Sequence, residues 1–274
     1  MSENQFIQHR GLRESQDRPN SFEAMREQYG VGIEFDLFIL SDGTIAVLHD
    51  KDFQDAQLTQ EQVEAMTLSE LESMNVISRT DGERGGAIPL LREYIFNAYD
   101  RGIDLTMEIK ASTPDKAEEA ARAMVDEIAA MKDDGVFETM PDYPEQSLGV
   151  HSFSVEALQE AKAAMDEHGV PLKRGLFWPS APERADEMEI SKTAKTFVGY
   201  TDEHENEWAA FGLEAAKKLG CESLNLFRTT ITPEIVEEAK KHNIDIYAWV
   251  VNNKEDAQRL LDMGVEKIIT ETSE

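Results

Sequence analysis

Short runs of β-branched and apolar residues alternate along the chain with longer stretches whose apolar positions recur every three or four residues. That alternation is the signature of repeated strand–helix units around a parallel sheet. The apolar runs predict strands at 6–9, 32–37, 105–109, 148–153, 172–177, 223–227, 245–251 and 267–270. Helical spacing is clearest over 114–131, where Ala117, Ala120, Ala121, Met124 and Ile128 share a face, and over 155–168, 207–219 and 233–242. Thr232-Pro233-Glu234 reads as an N-cap with proline at the first helical position, and Ser154 is a looser start signal. The eight strands with helices between them point to a (βα)8 TIM barrel, a single domain over 1–274. No G-x-G-x-x-G or G-x-x-x-x-G-K-[ST] loop favours an open doubly wound sheet instead.

One stretch breaks the rhythm. Ser41-Asp42-Gly43-Thr44 is a turn between two extended runs, so residues 45–49 should continue the second strand outward or pair with it as a hairpin. Residues 52–88 then make an insertion-like connection, with a helical piece around 67–74 and a glycine-rich run, Gly82 to Gly86, that reads as loop.

Composition narrows the partners. Against 27 Lys plus Arg stand 55 Asp plus Glu, a net charge of −28. A chain so acidic has no extended positive surface for nucleic acid, and anionic membranes repel it. A hydrophobic content of 41% is nevertheless enough for a sizeable core. The one cysteine, Cys221, permits no internal disulfide, which fits a reducing compartment. The first residues, MSENQFIQHRG, have neither a basic nor an apolar leader segment, and no run of roughly 18 apolar residues occurs, so a cytoplasmic location is expected. Oligomeric state leaves no mark on the sequence.

Barrels of this kind place their chemistry at the C-terminal ends of the strands. The first strand ends in His9-Arg10-Gly11; the second carries Glu34-Phe35-Asp36 and the third Glu108-Ile109-Lys110. A period of two puts Glu34 with Asp36, and Glu108 with Lys110, on one face of the sheet. A Glu-x-Asp pair in an acidic chain is ordinarily solvated surface, but Ile33, Phe35 and Leu37 make this an apolar strand in which the charges are out of place. Such carboxylates are costly to bury unless a cation joins them. Three carboxylates suit a hard cation, Mg2+ or Ca2+ with Mn2+ also admissible, better than zinc.

The longer pattern His9-Arg10-Gly11, Glu34-x-Asp36-Leu37, Ser41-Asp42-Gly43, Ala46-Val47-Leu48-His49-Asp50 resembles the signature of the glycerophosphodiester phosphodiesterase family. The likeness continues in Ile88-Pro89-Leu90-Leu91, Met107-Glu108-Ile109-Lys110, His151-Ser152-Phe153, Tyr247-Ala248-Trp249-Val250-Val251-Asn252 and Ile268-Ile269-Thr270-Glu271, almost the whole chain. The resemblance implies that Glu34, Asp36 and Glu108 bind one divalent metal, that His9 and His49 are the general acid and base, and that Arg10 and Lys110 hold phosphate oxygens. It implies a small-molecule glycerophosphodiester, such as glycerophosphocholine or glycerophosphoethanolamine, cleaved to sn-glycerol 3-phosphate and an alcohol. Which histidine is acid and which base stays open, as does whether water or a substrate hydroxyl attacks. Two other readings remain: a phospholipase D-like enzyme on lysophospholipids, and a catalytically weak barrel that binds phosphate esters.

The chain departs from the family pattern in two places. Arg18-Pro19-Asn20-Ser21 lacks the glutamate that relatives carry between proline and asparagine, leaving its role vacant or taken by Glu14 or Asp17, and the closing acid is Glu271. Trp249, with Phe177 and Trp178, is the expected wall for the alcohol, where an aromatic face offers a cationic head group about 0.5–2 kcal/mol. His151 is a candidate supporting residue, whereas His168, His204 and His242 read as surface.

Overall fold

The computed structural model describes residues 5–11, 19–26, 32–54, 56–76, 87–138, 147–201 and 207–272. Its strands are β1 (Phe6–His9), β2 (Gly32–Ile39), β3 (Ile45–Val47), β4 (Leu105–Ile109), β5 (Leu148–Ser152), β6 (Lys173–Phe177), β7 (Ser223–Phe227), β8 (Asp245–Trp249) and β9 (Lys267–Thr270). The order β1-β9-β8-β7-β6-β5-β4-β2, closed by a β1–β2 pairing, is a barrel of eight strands, and each of these pairings is parallel. With its surrounding helices this is a (βα)8 TIM barrel. The strand at 245–251 ends earlier than the apolar run suggests, at Trp249, because Val250 and Val251 already belong to the turn before helix Lys254–Met263.

Alternation along β2 explains why charge sits inside. Ile33, Phe35 and Leu37 point outward into the core beneath the helices, which turns Glu34 and Asp36 toward the barrel axis. Helix Pro114–Asp133 lays Ala117, Ala120, Ala121, Met124 and Ile128 onto that core, started by Thr113, whose hydroxyl accepts the Lys116 amide. Helix Val155–His168 begins the same way at Ser154, and helix Pro233–Lys241 at Thr232.

The turn after β2 does form a hairpin. β3 runs antiparallel to the end of β2, pairing Leu37 with Val47 and Ile39 with Ile45. The connection that follows is more structured than its sequence suggested. Helices Asp50–Gln54, Gln60–Glu64 and Leu68–Ser73 gather Phe53, Val63, Leu71 and Val76 against Phe38, Leu40, Ala46 and Leu48 in a core of their own. Thr59 and Thr67 each make a capping box, with Gln62 and Glu70. Two carboxylates fasten this unit to the barrel: Asp42 accepts the Leu68 amide at 3.0 Å, and Glu64 accepts both the Ser112 amide, at 2.7 Å, and its hydroxyl. The glycine run 82–86 lies outside the described residues. No helix among the described residues is long and apolar enough to cross a membrane.

Candidate active site

Strand register assembles the site. β1 against β2 sets His9 beside Glu34, and β2 against β4 sets Asp36 beside Glu108. Glu34, Asp36 and Glu108 are buried, and each presents a carboxylate oxygen within 4.8 Å of the others. Arg10 Nε lies 3.1 Å from Asp36 Oδ2 as an ion pair, and Lys110 Nζ 3.4 Å from Asp36 Oδ1 while also pairing with Glu108. The backbone N–H of Arg10 donates to Glu34 Oε2 at 3.2 Å, but Glu34 Oε1 is buried with no hydrogen-bond partner among the described residues.

These contacts divide the carboxylates. Burial pushes Glu34 well above the usual range, and the neighbouring Asp36 and Glu108 push it further; burial also raises Glu108. Burial alone would raise Asp36 too, but Lys110 and Arg10 outweigh it and hold that carboxyl below its usual range. Three acids against two cations leave the cluster short of positive charge; Asp36 Oδ1, also without a hydrogen bond, has the Lys110 ion pair, so the shortage falls at Glu34. An all-oxygen donor set with that deficit fits a hard divalent cation.

The histidines come from different units. His9 Nδ1 contacts Glu271 Oε1 at 2.9 Å, which leaves Nε2 turned toward Glu34, 3.8 Å away. Glu271 is held in turn by Asn252, whose Nδ2 donates to Oε2 at 2.9 Å, and the His9 contact with this one brings the Glu271 carboxyl down to about 2. His49 follows β3, on the inserted unit, and its backbone N–H donates to Asp52 at 2.8 Å. Burial, more than the field of Asp36 offsets, brings its imidazole down to about 3, and Arg10, Lys110 and His9 act in the same direction. The neighbouring Asp50 is pushed up by burial and feels Lys110, Asp36 and Arg10, which sets a fourth carboxyl near the cluster.

Two residues that sequence reasoning did not assign complete the floor. Asn20 is fully buried and its Nδ2 donates to Asp36 Oδ2 at 3.1 Å, while its N–H donates to Arg10 O at 2.9 Å. Both Arg10 and Asn20 have left-handed backbone, φ 57° and 59°. Non-glycine residues in that region cost about 1–2 kcal/mol each and persist where surrounding contacts hold them. The asparagine of the departing Pro19-Asn20-Ser21 motif thus reaches a proposed metal ligand directly; Glu14 and Asp17 lie outside the described residues. Glu271, which replaces the closing aspartate, is the partner of His9.

The aromatic residues separate. Trp249 meets Phe153, Phe177 and Phe227 at centroid distances of 5.8, 6.1 and 5.4 Å, and its Nε1 donates to Asn225 O. Lys110 Nζ lies 5.9 Å over the Phe153 ring, which joins this aromatic wall to the carboxylate cluster. Trp178 does not belong to it, a correction to its expected role. One residue beyond Phe177, it points outward, donates from Nε1 to Trp208 O at 2.9 Å and packs against Gly212, where a Cβ would come within 2.8 Å of the ring. His151 is buried on the barrel axis, 3.0 Å from Asn225 Nδ2, facing Gly175, where no side chain fits. It stands beside Glu108 in the strand register and lines a cavity of about 60 Å3 with Asp104, Lys173 and Lys267 toward the N-terminal ends of the strands. His168 and His242 pair with Asp126 and Glu238 on helices; His204 lies outside the described residues.

Comparison with known proteins places the chain among relatives of one kind. A curated relative, the glycerophosphodiester phosphodiesterase of Caldanaerobacter subterraneus subsp. tengcongensis, is 26% identical over 277 residues, covering 98% of this chain and 94% of its own. Among solved structures, a glycerophosphodiester phosphodiesterase from Parabacteroides distasonis superposes with a TM-score of 0.67 at 20% identity, covering 98% of this chain and 93% of that one. A phosphodiesterase from Oleispira antarctica, solved in complex with the product sn-glycerol-3-phosphate, also gives 0.67 at 20% identity, with 97% and 92% covered. At that identity the structural matches speak for the fold alone. Residues 9–274 match the model of the glycerophosphoryl diester phosphodiesterase family, and with a match across nearly its whole length the chain belongs to that family.

Proposed function

We propose that the chain hydrolyses glycerophosphodiesters, glycerophosphocholine and glycerophosphoethanolamine among them, to sn-glycerol 3-phosphate and an alcohol. The observation that carries the reading is the buried trio Glu34, Asp36 and Glu108, two of whose oxygens have no hydrogen-bond partner among the described residues, flanked by two cations and two histidines. The trio would hold one divalent cation, Mg2+, Ca2+ or Mn2+, which supplies Lewis-acid stabilisation of charge growing on the phosphoryl oxygens. Arg10 and Lys110 add fixed positive charge beside the same oxygens, already oriented by Asp36 and therefore needing little reorganisation.

The histidines take opposite roles. Burial keeps the His49 imidazole neutral at ordinary pH, the form that accepts a proton from the attacking hydroxyl. His9, its ring fixed through Nδ1 by Glu271, presents Nε2 to the site and would pass a proton from it to the leaving alkoxide. Asn20 steadies Asp36.

The test is purified protein with glycerophosphocholine or glycerophosphoethanolamine and each metal in turn, assayed for sn-glycerol 3-phosphate. Turnover should vanish on chelation, return with added metal, and fall at least about 100-fold in His49→Ala, within the usual range for losing a general base. Activity that survived chelation and His9→Ala would sink the reading.

A further inference from the structure

Among the described residues Arg228 is a guanidinium without an acid, in a protein that has two acids for every base. It follows β7 directly at the C-terminal end of the barrel, half-buried, with its backbone N–H donating to Trp249 O at 3.2 Å. Its Nη1 donates to Val250 O at 3.2 Å and its guanidinium lies over the Phe227 ring, 5.6 Å from the centroid. Phe227 packs edge-on against Trp249. Backbone and ring thus hold the Arg228 head in place, yet it pairs with no carboxylate among the described residues, whereas Arg10, Arg92, Arg122, Arg184 and Arg259 all do. Arg101 and Arg174 also bond carbonyls rather than acids, but they stand before β4 and at the start of β6, at the N-terminal end of the strands, whereas Arg228 stands at the C-terminal end. A preformed fork with donors to spare is what recognition of a carboxylate or phosphate requires.

Its position says which part of a ligand it would meet. Lys110, beside the carboxylate cluster, covers Phe153; the wall continues through Trp249 to Phe227, and Arg228 covers that ring. The two ends of the aromatic wall are therefore already occupied by the chain's own cations. A quaternary ammonium laid along this wall would lie between two fixed positive charges, which offsets the cation–π attraction it would otherwise gain.

We infer that Arg228 is a specificity-determining residue that selects, on the alcohol side of the phosphodiester, head groups bearing a carboxylate or a second phosphate over ammonium-only ones. The inference rests on the phosphodiesterase reading for its substrate class. Glycerophosphoserine and glycerophosphoethanolamine differ only by a carboxylate and isolate the effect. In the wild-type metal-loaded protein, kcat/KM for the serine ester should exceed that for the ethanolamine ester by about 10-fold or more, as one charge-assisted hydrogen bond gives. In Arg228→Gln that ratio should fall to near one, mainly through KM, with Arg228→Lys intermediate and the melting temperature checked for each variant. A ratio of one or less in the wild type, or an unchanged ratio in Arg228→Gln, overturns the inference. If the wild type turned over neither ester, the reaction reading would fail, and calorimetric binding of the two esters would decide this one: a serine-ester preference lost in Arg228→Gln upholds it, and equal affinities refute it.

Discussion

Trp178 and Trp249 are both strand-end tryptophans, and their surroundings predict opposite consequences of losing them. Trp178 is 1% exposed, hydrogen-bonded to Trp208 O and wedged on Gly212, so Trp178→Ala should cost about 3–5 kcal/mol of stability, read by chemical denaturation. Trp249→Phe keeps most of the packing but trims a wall of the mouth; its melting temperature should hold while KM rises. A single alternation step separates the two cases, because Phe177 faces the axis and Trp178 cannot. Sequence reasoning grouped Phe177 with Trp178 because composition does not report which face a residue takes at a strand end. His151 gives a pH prediction. Burial brings its imidazole down to about 3, against an ordinary value near 6.5. Between those two values the unfolded chain binds a proton that the folded one refuses, so stability is full above about pH 6.5 and is lost as pH falls toward 3. His151→Gln should flatten the fall of melting temperature from pH 7 to pH 4; an identical slope would show that His151 contributes nothing to it.

At the scale of elements, the periodic segments were the legible ones. Helix Val155–His168 and strands β1, β4, β7 and β9 have the limits that the apolar pattern and caps gave them. The carboxylates of β2 and β4 were visible as charges in apolar strands. What the pattern hid was contact between distant segments: Asn20 on Asp36, Glu271 on His9, and the compact unit built from the connection after β3. Each depends on register or loop path, which no local period encodes. The Glu64–Ser112 contact is the plainest example, joining positions 48 residues apart two residues beyond Lys110. Removing it in Glu64→Ala takes the carboxylate partner from the half-buried Ser112 amide and should cost about 1–3 kcal/mol. Because the same contact anchors the unit bearing His49, kcat should fall in that variant, and Gln60→Ala, which alters only a 3.4 Å partner of Glu64, should change little.

For the whole molecule, the charge of −28 opposes the approach of any anionic substrate, while the site itself holds Arg10 and Lys110. Surface carboxylates farther than a Debye length, about 10 Å at 0.1 M salt, are screened, whereas the buried pairs are not. KM should therefore fall as ionic strength rises from a few millimolar to about 0.1 M; a KM flat or rising over that interval would refute the screening argument. The hairpin and its separate core have a thermal consequence. His9 stands on the barrel wall and His49 on a unit with its own small set of apolar contacts, so the proposed proton relay spans two cooperative blocks of unequal size. The smaller block should open first on warming. Catalysis should then be lost, and regained on cooling, at temperatures where the far-ultraviolet circular dichroism of the barrel has not yet changed, and amide exchange should be fastest in residues 45–76.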